Sequence, residues 1–148
     1  LRQAKACGVW GESSFTMDDV LVEQCGWSGV CAAGIDVVSR CTNVEVRQCG
    51  WSGVVASGGT SITLIGAKTK VHHNCTTGFV QEYGLNVSDF SSNIRLVSPL
   101  TKETVSCENG GGGNWDPWDP EYGDQGDQGN QGETNTTGEF VVSKLRFM

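Results

Sequence analysis

The sequence predicts an all-β chain, built as a parallel β-helix (a solenoid) of about four coils and followed by a disordered C-terminal linker. Three observations carry this. The segment Gln24-Cys25-Gly26-Trp27-Ser28-Gly29-Val30 recurs unchanged as Gln48-Cys49-Gly50-Trp51-Ser52-Gly53-Val54. Between the copies, apolar residues fall in runs of about four, bounded by Gly, Ser, Asn or Cys. No segment sustains apolar residues at helical spacing, so helices should be scarce.

The elements follow in chain order. Cys7-Gly8 belongs to a coil before the first copy. Val20-Leu21-Val22-Glu23 precedes the first copy and Val44-Glu45-Val46-Arg47 precedes the second, with the same alternation. A weaker third copy runs from Val71 to Phe79, at a slightly longer spacing, and a degraded fourth from Val105 to Gly110. Ile35, Val37 and Val38 form an intervening strand whose partner in the next period is Ile62, Leu64 and Ile65, taken in that order. Leu85 and Val87, then Ile94, Leu96 and Val97, continue that series.

One period then makes one turn of coil. A single coil leaves its inner face open at both ends, so coils must stack. Stacking pairs each strand with its equivalent one period on, at roughly 4.8 Å. Cys25 then lies beside Cys49, Trp27 beside Trp51, and Glu23 forms a cross-strand ion pair with Arg47. Gly29 and Gly53 are assigned to the corners, where a positive φ is easiest for glycine. Four coils stand only about 15–20 Å tall, and both ends expose strand edges. Those edges predict self-association or continuation into a larger parent chain; the first residue, Leu1, points to a processed product or a piece of a longer protein. An antiparallel sandwich would need tight hairpin signals. No Asn-Gly or Asp-Gly pair separates two apolar strands, and Asn109-Gly110 opens the tail instead.

Three segments are expected: a β-helix module over 1–108, a Gly/Asp/Gln-rich linker over 109–138, and a strand-like terminus over 139–148. The charge divides along the same lines. The net charge is −7, yet residues 1–107 carry nine acids against eight bases, and residues 108–139 carry eight acids and neither Lys nor Arg. No clustered Lys and Arg mark a nucleic-acid surface. No run approaches the ~18 apolar residues of a membrane span, and no basic stretch with an apolar run opens the chain. The linker repeats Asp-Gln-Gly too briefly and irregularly to form a calcium roll. Trp115 and Trp118 are expected to pack on the last coil, with sugar stacking the other reading. The segment from Phe140 to Met148 is β-prone; it returns to a sheet edge, begins a further domain or docks elsewhere, and the polar linker before it favours the last or a fragment end.

Seven cysteines leave at least one unpaired within the chain. Cys25, Cys49 and Cys75 share a repeat position and read first as a ladder of small buried side chains. Rung spacing also admits a disulfide. No Cys-x-x-Cys pair supports a zinc site, and no metal or cofactor is expected. Lys68 and Lys70, His72 and His73, and Tyr83 compose the candidate glycan contact. Adjacent histidines on a strand point to opposite faces, one to a groove and one to the core. A Lys/His/Tyr strip can neutralise and deprotonate an acidic sugar, which is uronate lyase or epimerase chemistry. Three N-glycosylation sequons begin at Asn74, Asn86 and Asn135; they matter only on a secretory route, and Asn74 also reads as an internal ladder residue.

The run from Val44 to Val54, followed by Ser61-Ile62-Thr63-Leu64-Ile65-Gly66, resembles right-handed parallel β-helix repeat proteins of the pectin-lyase-like superfamily. Lys70 to Cys75, Tyr83-Gly84-Leu85, Leu96 to Glu103 and the Gly110–Gly113 run are similar to uncharacterised β-helix proteins of algae and large algal viruses. The resemblance covers roughly residues 17–115. It implies the right-handed coil. It leaves activity open, because members bind, cut or epimerise polysaccharides or build fibres and adhesins. The expected role is a non-catalytic structural, adhesive or glycan-binding module with a polysaccharide partner, outside the cell or on a virion surface. The alternative is a fragment of a polysaccharide lyase or uronate epimerase.

Overall fold

A computed structural model describes residues 1–116, 132–134 and 139–143. Those residues are almost all β, in parallel sheets. The strands come in threes. β1 (Val9–Gly11), β2 (Thr16–Asp18) and β3 (Leu21–Glu23) form the first set, and β4 (Val30–Ala33), β5 (Val38–Thr42) and β6 (Glu45–Arg47) the second. β7 (Val54–Ser57), β8 (Ser61–Ile65) and β9 (Lys70–His72) form the third. β10 (Tyr83–Val87), β11 (Asn93–Val97) and β12 (Ser106–Cys107) form the fourth, with the short helix α1 (Lys102–Val105) before β12 and β13 (Gly113–Trp115) after it. A capping box on Thr101 starts α1: its hydroxyl accepts from the Thr104 N–H, and Thr104 Oγ1 accepts from the Thr101 N–H.

Each strand pairs with the strand one set later. Sheet one runs β1-β4-β7-β10-β13 and sheet three runs β3-β6-β9-β12, parallel throughout. Sheet two runs β2-β5-β8-β11, parallel, and then gains β15 (Glu139–Ser143) and β14 (Gly132–Thr134), both antiparallel. Residues 139–143 therefore return to a sheet edge, rather than docking elsewhere as the polar linker before them predicts. β11 would otherwise end sheet two with unpaired N–H and C=O groups, and β15 pairs with them.

The register puts like on like. Val22, Val46 and Val71 form one buried column, and Val30, Val54 and Leu85 another. Cys41, Leu64 and Leu96 stack as a third, and Ile62 on Ile94 as a fourth. Inward residues of all three sheets meet in one core. Each fully buried Val, Leu or Ile contributes about 1.5–3 kcal/mol over an exposed one. Cys25, Cys49 and Cys75 are buried free thiols, as are Cys31 and Cys41. The Cys25 and Cys49 thiols turn back on Glu23 O and Arg47 O, each in the strand just upstream.

The corners differ from expectation. Gly29 and Gly53 do not hold a positive φ. They are glycine because a Cβ would strike Val46 Cγ1 at the first site and Val71 Cγ1 at the second. The left-handed residues after the third strand are Gln24 (φ 57), Gln48 (φ 54), His73 (φ 54) and Glu108 (φ 52), with Gln3 (φ 55) before them. All but Glu108 donate their own N–H to the next layer: Gln3 to Glu23 O at 3.1 Å, Gln24 to Arg47 O at 3.1 Å, Gln48 to His73 O at 3.0 Å, His73 to Glu108 O at 3.2 Å.

Sheet two has a different register from the one the apolar runs imply. Ser39 pairs with Ile62 and Cys41 with Leu64, so Val38 lies against Ser61 and not against Ile65. The chain turns at Gly34 (φ 139) and Asp36 (φ 58), which leaves Ile35 at the tip and 85% exposed. Leu85 and Val87 lie in sheet one, against Val54 and Ala56, and do not continue the Ile62 series. Residues 109–116, assigned to the linker by composition, belong to the folded body. β13 pairs with β10, and Asn109 donates to Val71 O and accepts from the Asn74 N–H. Trp115 packs on the core under Lys102, whose ammonium sits 4.6 Å from the ring centroid. The rest of the linker, with Trp118 and its Asp-Gln-Gly repeats, lies outside the described residues, apart from the backbone of β14 and of β15 at the boundary.

These corners make opposite predictions for two neighbours. Gly53→Ala forces a methyl into Val71 and should cost about 1–3 kcal/mol. Gln48→Gly relieves a left-handed side-chain residue and should stay within about 0.5 kcal/mol of the parent or exceed it. Urea midpoints of the two variants test this; equal losses would sink the assignment.

Candidate functional site

The outer face of sheet three holds most of the expected glycan strip. Lys70 is exposed on β9, and Val71 points inward. His72 points outward, its Nε2 2.9 Å from Glu45 Oε1. His73 also points outward: its left-handed φ breaks the strand alternation that would have sent it to the core. Its Nδ1 lies 2.7 Å from His72 Nδ1, and its Nε2 3.1 Å from Glu108 Oε2. Lys68 sits in the turn before β9, its N–H on Asn43 Oδ1. Tyr83 begins β10 in sheet one, so it does not converge with Lys70 and the histidines. Burial pushes its phenol above the ordinary value, with Asp116 adding to the effect. The shared groove that a lyase or epimerase needs from these residues is not formed.

The same face carries an ion-pair ladder. Glu23 is buried and meets Arg47 at 2.7 Å and Arg2 at 2.6 Å, which bears out the expected pairing of Glu23 with Arg47. Arg47 also reaches Glu45 at 3.1 Å. The Arg47 hydrogen bond, with Arg2 adding to it, holds the Glu23 carboxyl below the usual carboxylate range.

Sequons fare differently. Asn74 is buried: its Oδ1 accepts from the Cys49 N–H and its Nδ2 donates to Val46 O, so the folded chain leaves it no room for a glycan. Asn86 is half-buried on sheet one. Asn135 lies outside the described residues.

Sheet one carries a cleft of about 390 Å³ on its outer face. Trp10, Cys31, Val55 and Asn86 pair in register across four strands, and this outward column forms its floor. Trp27 and Trp51, from the repeated turn segments, form a wall. Their rings stack with centroids 5.0 Å apart and planes 4° from parallel, as one-period stacking requires. Phe79 meets Trp51 edge-on at 6.4 Å. Trp10 is 58% exposed and Trp27 46%, so broad indole surface faces solvent.

A polar edge faces these rings. Glu82 Oε2 accepts from both the N–H and the hydroxyl of Ser52. Asn86 Nδ2 donates to Ser52 Oγ at 3.0 Å, as does the Tyr83 N–H at 3.0 Å. Ser52 is fully buried, so it anchors both side chains from beneath. Burial pushes the Cys31 thiol up to about 12, which keeps it protonated and unreactive at neutral pH.

Sequence reasoning missed this site. It placed Trp27 on Trp51 but read the pair as a consequence of stacking alone. The available signal was loop length: residues 73–82 join β9 to β10, against 24–29 and 48–53 at the equivalent joins. That insertion carries Glu82 to the cleft and Phe79 against Trp51. Insertions in repeat proteins map to one face, commonly the binding face.

The ladder sets a pH dependence. Glu23 has a lowered folded pKa, so its contribution is present above the unfolded value and fades as pH falls through the folded one. Glu23→Gln should therefore be less stable than the parent at about pH 7, and the gap should close as pH drops from about 5 to about 3. Urea unfolding across that range tests it; a gap that stays constant would show that the charge plays no part.

Compared with family models, with curated proteins and with solved structures, the chain matches none, so the likeness noted from its sequence rests on those residues alone.

Proposed function

We propose that the chain is a right-handed parallel β-helix module that binds glycan at the tryptophan cleft and does not transform it. The observation that carries this reading is one cleft with three tryptophans facing a fixed carboxylate and amide. Sugars present a flat C–H face and a rim of hydroxyls. Indole faces take the first, and Glu82, Asn86 and the serine hydroxyls take the second. The cyclic order of strands through three parallel sheets supports the β-helix half of the proposal.

A non-catalytic role fits the cleft's chemistry. Glycoside hydrolysis calls for two opposed carboxyl groups. Glu82 is the one carboxylate that lines the cleft among the described residues, and Ser52 holds it. Lys70, His72 and Tyr83 do not gather into the base and cation that a lyase or epimerase uses.

Trp10→Ala removes an exposed ring from the floor and should weaken glycan binding about tenfold or more, with little loss of stability. Trp27→Ala should weaken it comparably, and it also removes the partner of Trp51. A glycan array on the full chain, followed by calorimetric titration of each variant, measures both effects. Full affinity in both variants would move the site elsewhere. Release of reducing ends or unsaturated sugars by the parent protein would overturn the non-catalytic reading.

A further inference from the structure

We infer that the tryptophan cleft selects uncharged sugars and turns away uronates and sulfated glycans, an inference that rests on the glycan-binding reading above. The argument is one of charge placement. Among the described lining residues, Glu82 is the one carboxylate, and none is Lys, Arg or His. Several cationic groups of the body stand elsewhere. Arg47 and His72 face carboxylates on sheet three, Lys70 is on the same sheet, and Lys68 is in a turn between sheets.

Glu82 cannot swing away freely. Two bonds from Ser52 hold Oε2, and Ser52 is itself fixed by the Tyr83 N–H and by Asn86. Ser52 leaves Oε1 as the acceptor offered to a ligand. A neutral sugar meets it with hydroxyl donors, and bonds to an ionised acceptor are roughly twice as strong as neutral ones. A uronate or sulfate meets a fixed like charge beside indole surface that displaces water, with no cation among the described lining residues to offset it. One side chain therefore attracts the hydroxyls and repels the anions, so discrimination needs no further contact. The Lys/His strip, which the sequence marks for acidic sugars, has no part in this site.

The test is a calorimetric titration of the full chain with matched panels. Neutral oligosaccharides (gluco-, xylo- and manno-configured) are set against oligogalacturonides, oligoalginates and sulfated galactans at low salt. Neutral ligands should bind, and anionic ones should bind about tenfold more weakly or worse. Raising the ionic strength should narrow the difference, because screening shortens the reach of Glu82. Glu82→Gln should narrow it too, through a gain for the anionic panel; thermal melting confirms that the variant is folded, and the salt series tests the same point on the parent chain. Equal or tighter binding of the anionic panel would overturn the inference and leave glycan binding intact. Failure of every saccharide to bind would instead overturn the proposed function itself.

Discussion

The structure depends on a backbone constraint that recurs in each repeat. After the third strand of each set, one residue enters the left-handed region and sends its N–H to a carbonyl of the next layer. Gln3, Gln24, Gln48 and His73 all make this bond, and Glu108 has the same backbone at the last layer. None is glycine. A left-handed side-chain residue costs on the order of 1–2 kcal/mol. The inter-layer hydrogen bond that each makes offsets part of it. Asp19 and Asn43 make the equivalent bond after the second strand, to Thr42 O and Ile65 O, so the turns repeat at matching places and successive layers keep step.

Identical register has two results of different kinds. Inside, it stacks Val22, Val46 and Val71 into a column whose shape each layer presents to the next, and it leaves no space for a Cβ at Gly29 or Gly53. Outside, it stacks Trp27 on Trp51 with nearly parallel rings. The flat aromatic wall is thus produced by the same repetition that fills the core. The cleft adds what the repeat does not provide. The longer 73–82 segment contributes Phe79 and Glu82, and the step in register from Val54 to Leu85, longer than that from Val30 to Val54, accommodates it.

What the sequence shows and what it hides follow from these facts. A repeat identical at every position from Gln24 to Val30 announces its own pairing, so the Trp27 stack and the Glu23 pair with Arg47 are legible before any coordinates. Register in sheet two is not, because Gly34 and Asp36 form a turn whose length apolar runs do not encode, and Ile35 is stranded at its tip. The outward turn of His73 is also hidden, since the position is left-handed in every layer but filled by Gln, His or Glu rather than Gly. The return of β15 to β11 is a matter of unpaired backbone at an edge, which no side-chain pattern reveals.

The two described outer faces differ in how their polar groups are satisfied, and this separates a binding surface from a structural one. On sheet three, Arg2, Glu23, Arg47, Glu45 and His72 engage one another. A ligand binding there must first separate ion pairs, and the loss offsets most of what it gains. On sheet one Ser52 holds Glu82 and Asn86 from below, with Gln81 O also accepting from Asn86, so the groups are fixed in place where they line the cleft. Trp10 and Trp27 keep large ring areas in water, and covering them is favourable in itself. Preorganised polar groups beside uncovered aromatic surface have little to give up on binding, whereas the ladder across the molecule has a great deal.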